Sequence, residues 1–149
     1  SLLTWGFIYP FNYKAQDKFT VPDPVKEPTI YKRFLKLQHE AVFEISRNFT
    51  DIAYFEPTNE PEGFNGLNIH RNSVTLPDEE RVYSLNTLEK IVLDLCASMS
   101  SAVKKANPKN KVVFPGFCNF ETAPAFVDDI YNSLCQYIYN NDCLPLLMQ

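Results

Sequence analysis

Glycine and histidine are scarce in this sequence, and their scarcity argues against several classes of enzyme. Only 4 of the 149 residues are Gly and only 2 are His. No G-x-G-x-x-G or G-x-x-x-x-G-K spacing occurs, which argues against a dinucleotide or P-loop phosphate site. The signatures of serine and zinc hydrolases, G-x-S-x-G and H-E-x-x-H, are also absent. We therefore expect no metal and no organic cofactor.

Cysteine is sparse as well, with 4 residues in the whole chain. They are Cys96, Cys118, Cys135 and Cys143. No C-x-x-C pair occurs and no histidine lies beside any of them, so the spacing does not predict a zinc site. We expect mostly reduced, buried thiols, with one disulfide as the open alternative.

Excess positive charge and long apolar runs are missing too. The net charge is −4 and the pI is about 5.2, so we expect no nucleic-acid partner. No apolar run reaches the roughly 18 residues of a membrane span, so we expect no membrane partner. The first residues lack a basic segment and resemble a strand rather than a signal peptide, which suggests a piece of a longer protein. The cellular location stays open.

What the sequence does contain is a strand, a loop and a helix, repeated three times within one domain over residues 1–149. Short apolar runs without alternation predict strands, and periodic apolar positions predict helices. The predicted strands lie near residues 2–8, 51–57 and 111–116, and the predicted helices near 29–48, 86–106 and 123–140.

This order predicts an α/β fold with a parallel sheet covered by helices. An open doubly wound sheet and a (β/α) barrel both fit it. The long segments 10–28 and 61–84 follow strands, whereas the returns from helix to strand are short. Because a barrel builds its site at the carboxyl ends of its strands, this asymmetry favours a partial TIM barrel of about three βα units. A whole barrel takes about 250 residues, so the chain would be its middle.

The sequence also predicts the buried face of the first helix and the N-terminal cap of the second. In the first, we predict that Ile30 and Phe34 begin the buried face and that His39 lies on the solvated side. In the second, Asn86 and Glu89 stand at the spacing of a capping box.

The stretch YFEPTNEPEG, residues 54–63, follows the second predicted strand directly. Glu60 lies just past the strand end, where a carboxyl group could act as a general acid or base. Asn59 offers an amide donor and a carbonyl acceptor that suit a sugar hydroxyl. Pro57 and Pro61 interrupt regular strand pairing, so a bulge or twist could turn Asn59 and Glu60 toward one pocket. A solvated acidic loop is the alternative.

Residues 55–61 resemble the F-E-x-x-N-E-P signature of retaining glycosidases with a (β/α) barrel, closest to the β-xylosidase and α-L-iduronidase branch. The resemblance implies that the three strands are the third, fourth and fifth of the barrel. It also implies that Glu60 is the general acid/base and that Asn59 binds the 2-hydroxyl of a glycoside or oligosaccharide substrate. We further expect Glu56 to support the site.

Two positions depart from this signature. The family's nucleophile is a second Glu on the seventh strand, which we expect outside this chain, and Glu121 is the other candidate on a strand end. Thr58 stands where many members have Trp, so Trp5 or Tyr9 could supply the surface on which the sugar stacks. Further ligand contacts are predicted from two residues after strands, His70 and Asn119.

Other interpretations remain open from the sequence. A carbohydrate-binding or scaffold domain without catalysis would also explain the absence of a second catalytic Glu. Exposed sheet edges would permit self-association. Asn48-Phe49-Thr50 forms an N-glycosylation sequon, which has meaning only in a secreted protein.

Overall fold

The fold is described from a computed structural model that covers residues 1–4, 21–58, 83–113, 115–116 and 124–140. Within these ranges three strands alternate with three helices. They are β1 (Leu2–Thr4), α1 (Pro28–Asn48), β2 (Tyr54–Glu56), α2 (Leu85–Ala106), β3 (Lys111–Val112) and α3 (Pro124–Asn140).

The sheet is parallel throughout, in the order β1-β2-β3. Leu3, Phe55 and Val112 form one row across the three strands, and Leu2, Tyr54 and Lys111 form the next. The predicted α/β class with a parallel sheet is therefore confirmed, whereas the barrel remains a prediction.

The strands are shorter than predicted where they can be compared. β2 begins at Tyr54 because the backbone before it forms a turn, in which the amide of Ile52 donates to the carbonyl of Phe49 at 3.2 Å. β3 spans Lys111–Val112, although Val113 still donates to the carbonyl of Phe55 at 2.9 Å. The part of the first predicted strand over residues 5–8 lies outside the described residues.

α2 begins earlier than its predicted cap. Ser84 is the N-cap, and its hydroxyl accepts from the amide of Thr87 at 3.2 Å. The predicted capping box of Asn86 and Glu89 is thus wrong, since both residues already lie inside the helix. The serine at residue 84 has an extended backbone, which is the conformation that lets its side chain reach back over the first turn.

The buried face of α1 differs from the predicted one. Ile30 is 38% exposed, whereas Tyr31, Gln38 and Ser46 are buried, as is Phe34. α1 packs along α2, so polar groups on the contact face of α1 need hydrogen-bond partners. α2 supplies one for Tyr31, and the turn after α2 supplies one for Ser46. His39 follows the same rule: it is half-buried, and its Nδ1 lies 3.0 Å from the carbonyl oxygen of Ser98 on α2, so the predicted solvated position is wrong.

α2 is the centre of the described core. One cluster joins α2 to α1 and α3 around Phe34, Ile91 and Ile130, all with no exposed surface. A second cluster seats Phe55 of β2 against Val42 of α1 and Met99 of α2. Full burial of each such side chain contributes about 1.5–3 kcal/mol, so these contacts fix the sheet under the helices.

A polar joint ties the carboxyl ends of α1 and α2 together. The Nδ2 of Asn110 donates to the Oγ of Ser46 at 3.1 Å, and both side chains are buried. Lys104 donates to the Asn110 carbonyl at 2.7 Å, and Asn107 donates to its Oδ1 at 3.0 Å. The short turn before β3 is therefore held by its own hydrogen bonds.

Among the helices that the structure describes, none is long and apolar enough to cross a membrane. Cys96 is a free, buried thiol and Cys135 is free and partly exposed. Cys118 and Cys143 lie outside the described residues.

Candidate functional site

The structure describes one of the predicted site residues, Glu56, which is the last residue of β2. The other predicted site residues lie outside the described residues: Trp5, Tyr9, Asn59, Glu60, His70 and Asn119. The candidate nucleophile Glu121 also lies outside them. The described part of the candidate site is therefore the set of strand ends that lead into those segments.

Glu56 connects all three strands at their carboxyl ends. Its Oε2 accepts from the hydroxyl of Thr4, the last residue of β1, at 2.5 Å. Its Oε1 accepts from the backbone amide of Gly116, which follows β3, at 2.9 Å. A charged acceptor makes stronger hydrogen bonds than a neutral one. One half-buried carboxylate thus fixes the relative positions of the ends of β1, β2 and the chain after β3.

The two residues after Glu56 are buried. Pro57 is buried and Thr58 is 2% exposed. Both residues immediately precede Asn59 and Glu60 in the sequence. The burial of Thr58 also means that this side chain offers no open surface for a sugar, although many proteins with the resembling signature have Trp at this position.

The side chain of Glu56 belongs to the face of the sheet that points away from α1 and α2. Successive side chains of a strand alternate between faces, and Phe55 packs against the helices. Tyr54 and Glu56 therefore share the opposite face, as do Leu2 and Thr4 on β1. This face is open in the part of the chain that the structure describes, since Leu2 is 57% exposed and Tyr54 is 40% exposed.

In this arrangement Glu56 is a hydrogen-bond acceptor on both oxygens, which suits a positioning group better than a proton donor. Its partners Thr4 and Gly116 were not among the predicted site residues. Thr4 falls inside the strand predicted near residues 2–8, so the sequence alone does not single it out. The register that sets Thr4 opposite Glu56 is the observation that identifies it.

Two buried groups with shifted pKa values, Cys96 and Tyr31, lie in the helix layer. Burial raises the pKa of the Cys96 thiol to about 12, so this thiol stays protonated and is not a nucleophile. Burial, and after it the neighbouring Asp94 carboxylate, raises the pKa of Tyr31 well above its usual range. The Tyr31 hydroxyl donates to Asp94 at 2.9 Å, and Lys90 pairs with the same carboxylate oxygen at 2.8 Å.

The hydrogen bond from Tyr31 to Asp94 joins α1 to α2, and Cys96 lies within α2. None of these residues belongs to the strand ends. Within the described ranges, no group of three or more His, Cys, Asp or Glu side chains is placed to hold a metal ion. The candidate site is thus the carboxyl edge of the sheet, organised by Glu56 and leading into Asn59 and Glu60.

Comparison with known proteins adds no relative: no family model, curated protein or solved structure matches this chain.

Proposed function

We propose that this chain is the central part of a (β/α) barrel glycoside hydrolase of the retaining class, in which Glu60 is the general acid/base. One observation carries the proposal. The F-E-x-x-N-E-P stretch begins in β2, the middle strand of a parallel sheet, and continues past its carboxyl end. Within this stretch, Glu56 links the ends of the neighbouring strands.

The winding of the sheet supports the barrel. The strands follow one another in sequence order, and α1 and α2 both cover the same face around Phe55. Right-handed crossovers that always step in one direction keep their helices on one side, as a barrel requires. The other face would then be the interior of the barrel. Thr4 and Glu56 on that face lie at the carboxyl ends of their strands, where a barrel places its site residues, whereas a doubly wound sheet covers both faces with helices.

The proposed chemistry assigns Glu60 two linked tasks. In the first step it gives its proton to the glycosidic oxygen while a second carboxylate attacks the anomeric carbon, which breaks the bond to the leaving group. In the second step Glu60 takes a proton from water, which displaces the enzyme carboxylate from the sugar. Asn59 would hold the neighbouring sugar hydroxyl with its amide group.

The proposal requires a second carboxylate about 5–5.5 Å from Glu60. Glu56 does not fit that task, because hydrogen bonds already engage both of its oxygens. The resemblance assigns the nucleophile to a later strand of the natural protein, and Glu121 is the alternative within this sequence. Replacing Glu121 by Gln in the natural protein distinguishes these two assignments. If Glu121 is the nucleophile, the variant should lose activity with every glycoside, whatever its leaving group.

Glu60→Gln in the natural protein tests the proposal, with Glu62→Gln as the matched control two residues away. Loss of a general acid slows hydrolysis of glycosides with poor leaving groups by about 10²- to 10⁴-fold. Activated aryl glycosides need little protonation and should be affected far less. Equal, small losses on both substrates, or equal effects of the two variants, would contradict the assignment.

A carbohydrate-binding domain without catalysis is the competing outcome. Titration calorimetry with oligosaccharides, run beside the hydrolysis assay, distinguishes the two functions. Binding without turnover by the natural protein would replace the catalytic proposal with this one, and neither binding nor turnover would reject both.

A further inference from the structure

The only Asn-x-Ser/Thr triplet of the 149 residues, Asn48-Phe49-Thr50, spans the end of α1 and the start of the turn that leads to β2. Asn48 is the last residue of α1, and Phe49 is its C-cap. All three residues are exposed, and Phe49 has 56% of its surface accessible. A sequon that is wholly exposed in a turn can carry a bulky group without disturbing a core.

The sequon is also remote from the candidate site along the strand direction. It precedes the start of β2, whereas Glu56 ends that strand and Asn59 and Glu60 come after it. A group attached at Asn48 would therefore project from the amino edge of the sheet, opposite to the edge that leads to Glu60.

The local hydrogen bonds of Asn48 are compatible with modification. Its Nδ2 donates to the carbonyl of Glu44 at 2.7 Å and to the Glu44 carboxylate at 3.1 Å. A side-chain amide has two N–H donors, and attachment of a sugar replaces one of them. The remaining N–H can keep the shorter bond, which is the one to the Glu44 carbonyl.

We propose that Asn48 is an N-linked glycan acceptor in the natural protein. The donor is a lipid-diphosphate-linked oligosaccharide. A bond forms between Nδ2 of Asn48 and C1 of the first sugar, and the bond from C1 to the diphosphate oxygen breaks. The diphosphate leaves with the electron pair, and the amide loses one proton to a base of the transferring enzyme. This inference is independent of the proposed hydrolase activity.

The direct test is peptide analysis of the natural protein isolated from its own cells. Trypsin cuts after Arg47 and next after Arg71, so the sequon begins its own peptide. Release of the glycan from the intact protein by an amidase in heavy-oxygen water, before trypsin is added, should convert Asn48 to a labelled Asp that is absent from the same digest prepared without the amidase. An unmodified peptide in the untreated protein would overturn the proposal.

Matched variants separate glycosylation from other changes of mass. Thr50→Ser keeps the acceptor sequence and should keep the glycan, whereas Thr50→Ala and Asn48→Gln should remove it. Both positions are exposed, so the three variants are expected to fold. A glycan that survives Asn48→Gln would also overturn the assignment.

Discussion

On one face of the sheet, Leu3, Phe55 and Val112 lie in a row and pack against α1 and α2. On the other face, Leu2 and Tyr54 remain 57% and 40% exposed, and Thr4 hydrogen-bonds Glu56 at the strand ends. The same three short strands thus supply a core on one side and an open, partly polar surface on the other. Within the described residues, the buried apolar contacts of the sheet are therefore concentrated on the helix side.

The largest effect is expected from the neighbouring aromatic residues that point to opposite faces. Phe55→Ala should lower the free energy of unfolding by about 3–5 kcal/mol, because a fully buried ring leaves a cavity. Tyr54→Ala should cost less than about 1 kcal/mol, since its ring already contacts solvent. Urea unfolding of the two variants measures both values. Similar losses would show that the open face is also a core.

A smaller effect is expected at the polar joint on the helix side. Asn110→Ala leaves the buried hydroxyl of Ser46 and the amide of Asn107 without this partner, so the free energy of unfolding should fall by about 1–3 kcal/mol. Lys109→Ala, one exposed residue earlier, is the control. The joint would be unimportant if both variants unfolded at the same urea concentration.

The helix side should also respond to alkaline pH through Cys96. Its pKa is raised from 9.0 to about 12 by burial, so the folded protein keeps a proton that the unfolded chain releases. This contribution is complete below pH 9. Between pH 9 and 12 the free energy of unfolding should fall as the pH rises, because the unfolded chain releases the thiol proton first. Cys96→Ala should remove that part of the slope, and an unchanged slope in urea unfolding at several pH values would contradict it.

The smallest effect is expected on the open face. Thr4→Val removes the hydroxyl that donates to Glu56 and should cost about 1 kcal/mol, since the bond is partly exposed to water. Thr4→Ser keeps the donor and should retain most of the stability. If Glu56 positions the residues after β2, the valine variant should also lower kcat more than it raises KM, and equal behaviour of the two variants would remove that role.

The sequence predicted α2 well because its buried face is apolar. The apolar positions at helical spacing in the second predicted helix are Leu88, Ile91, Val92, Leu95, Met99, Ala102, Val103 and Ala106, and all of them except Ala106 are buried. α1 could not be predicted equally well, because polar residues on its contact face depend on partners that the sequence does not pair. Ser46 is buried because Asn110, 64 positions later, supplies a hydrogen bond.

The candidate site divides in the same way. Glu56 was found from its place in a motif at a strand end, whereas its contacts with Thr4 and Gly116 depend on the register of three strands. Pairing partners that are about 50 to 60 residues apart are not encoded in any local pattern, so strand pairing had to be known first. The roles of Asn59 and Glu60 remain predictions from the motif.

The role of Glu60 is tested by the pH dependence of kcat/KM for the natural protein, with a glycoside whose leaving group requires protonation. A general acid must be protonated to act, so its ionisation produces the alkaline limb of the profile. We predict that Glu60→Gln abolishes the alkaline limb while Glu62→Gln leaves it in place. An alkaline limb that persists unchanged in Glu60→Gln would contradict the assignment of Glu60 as the acid/base.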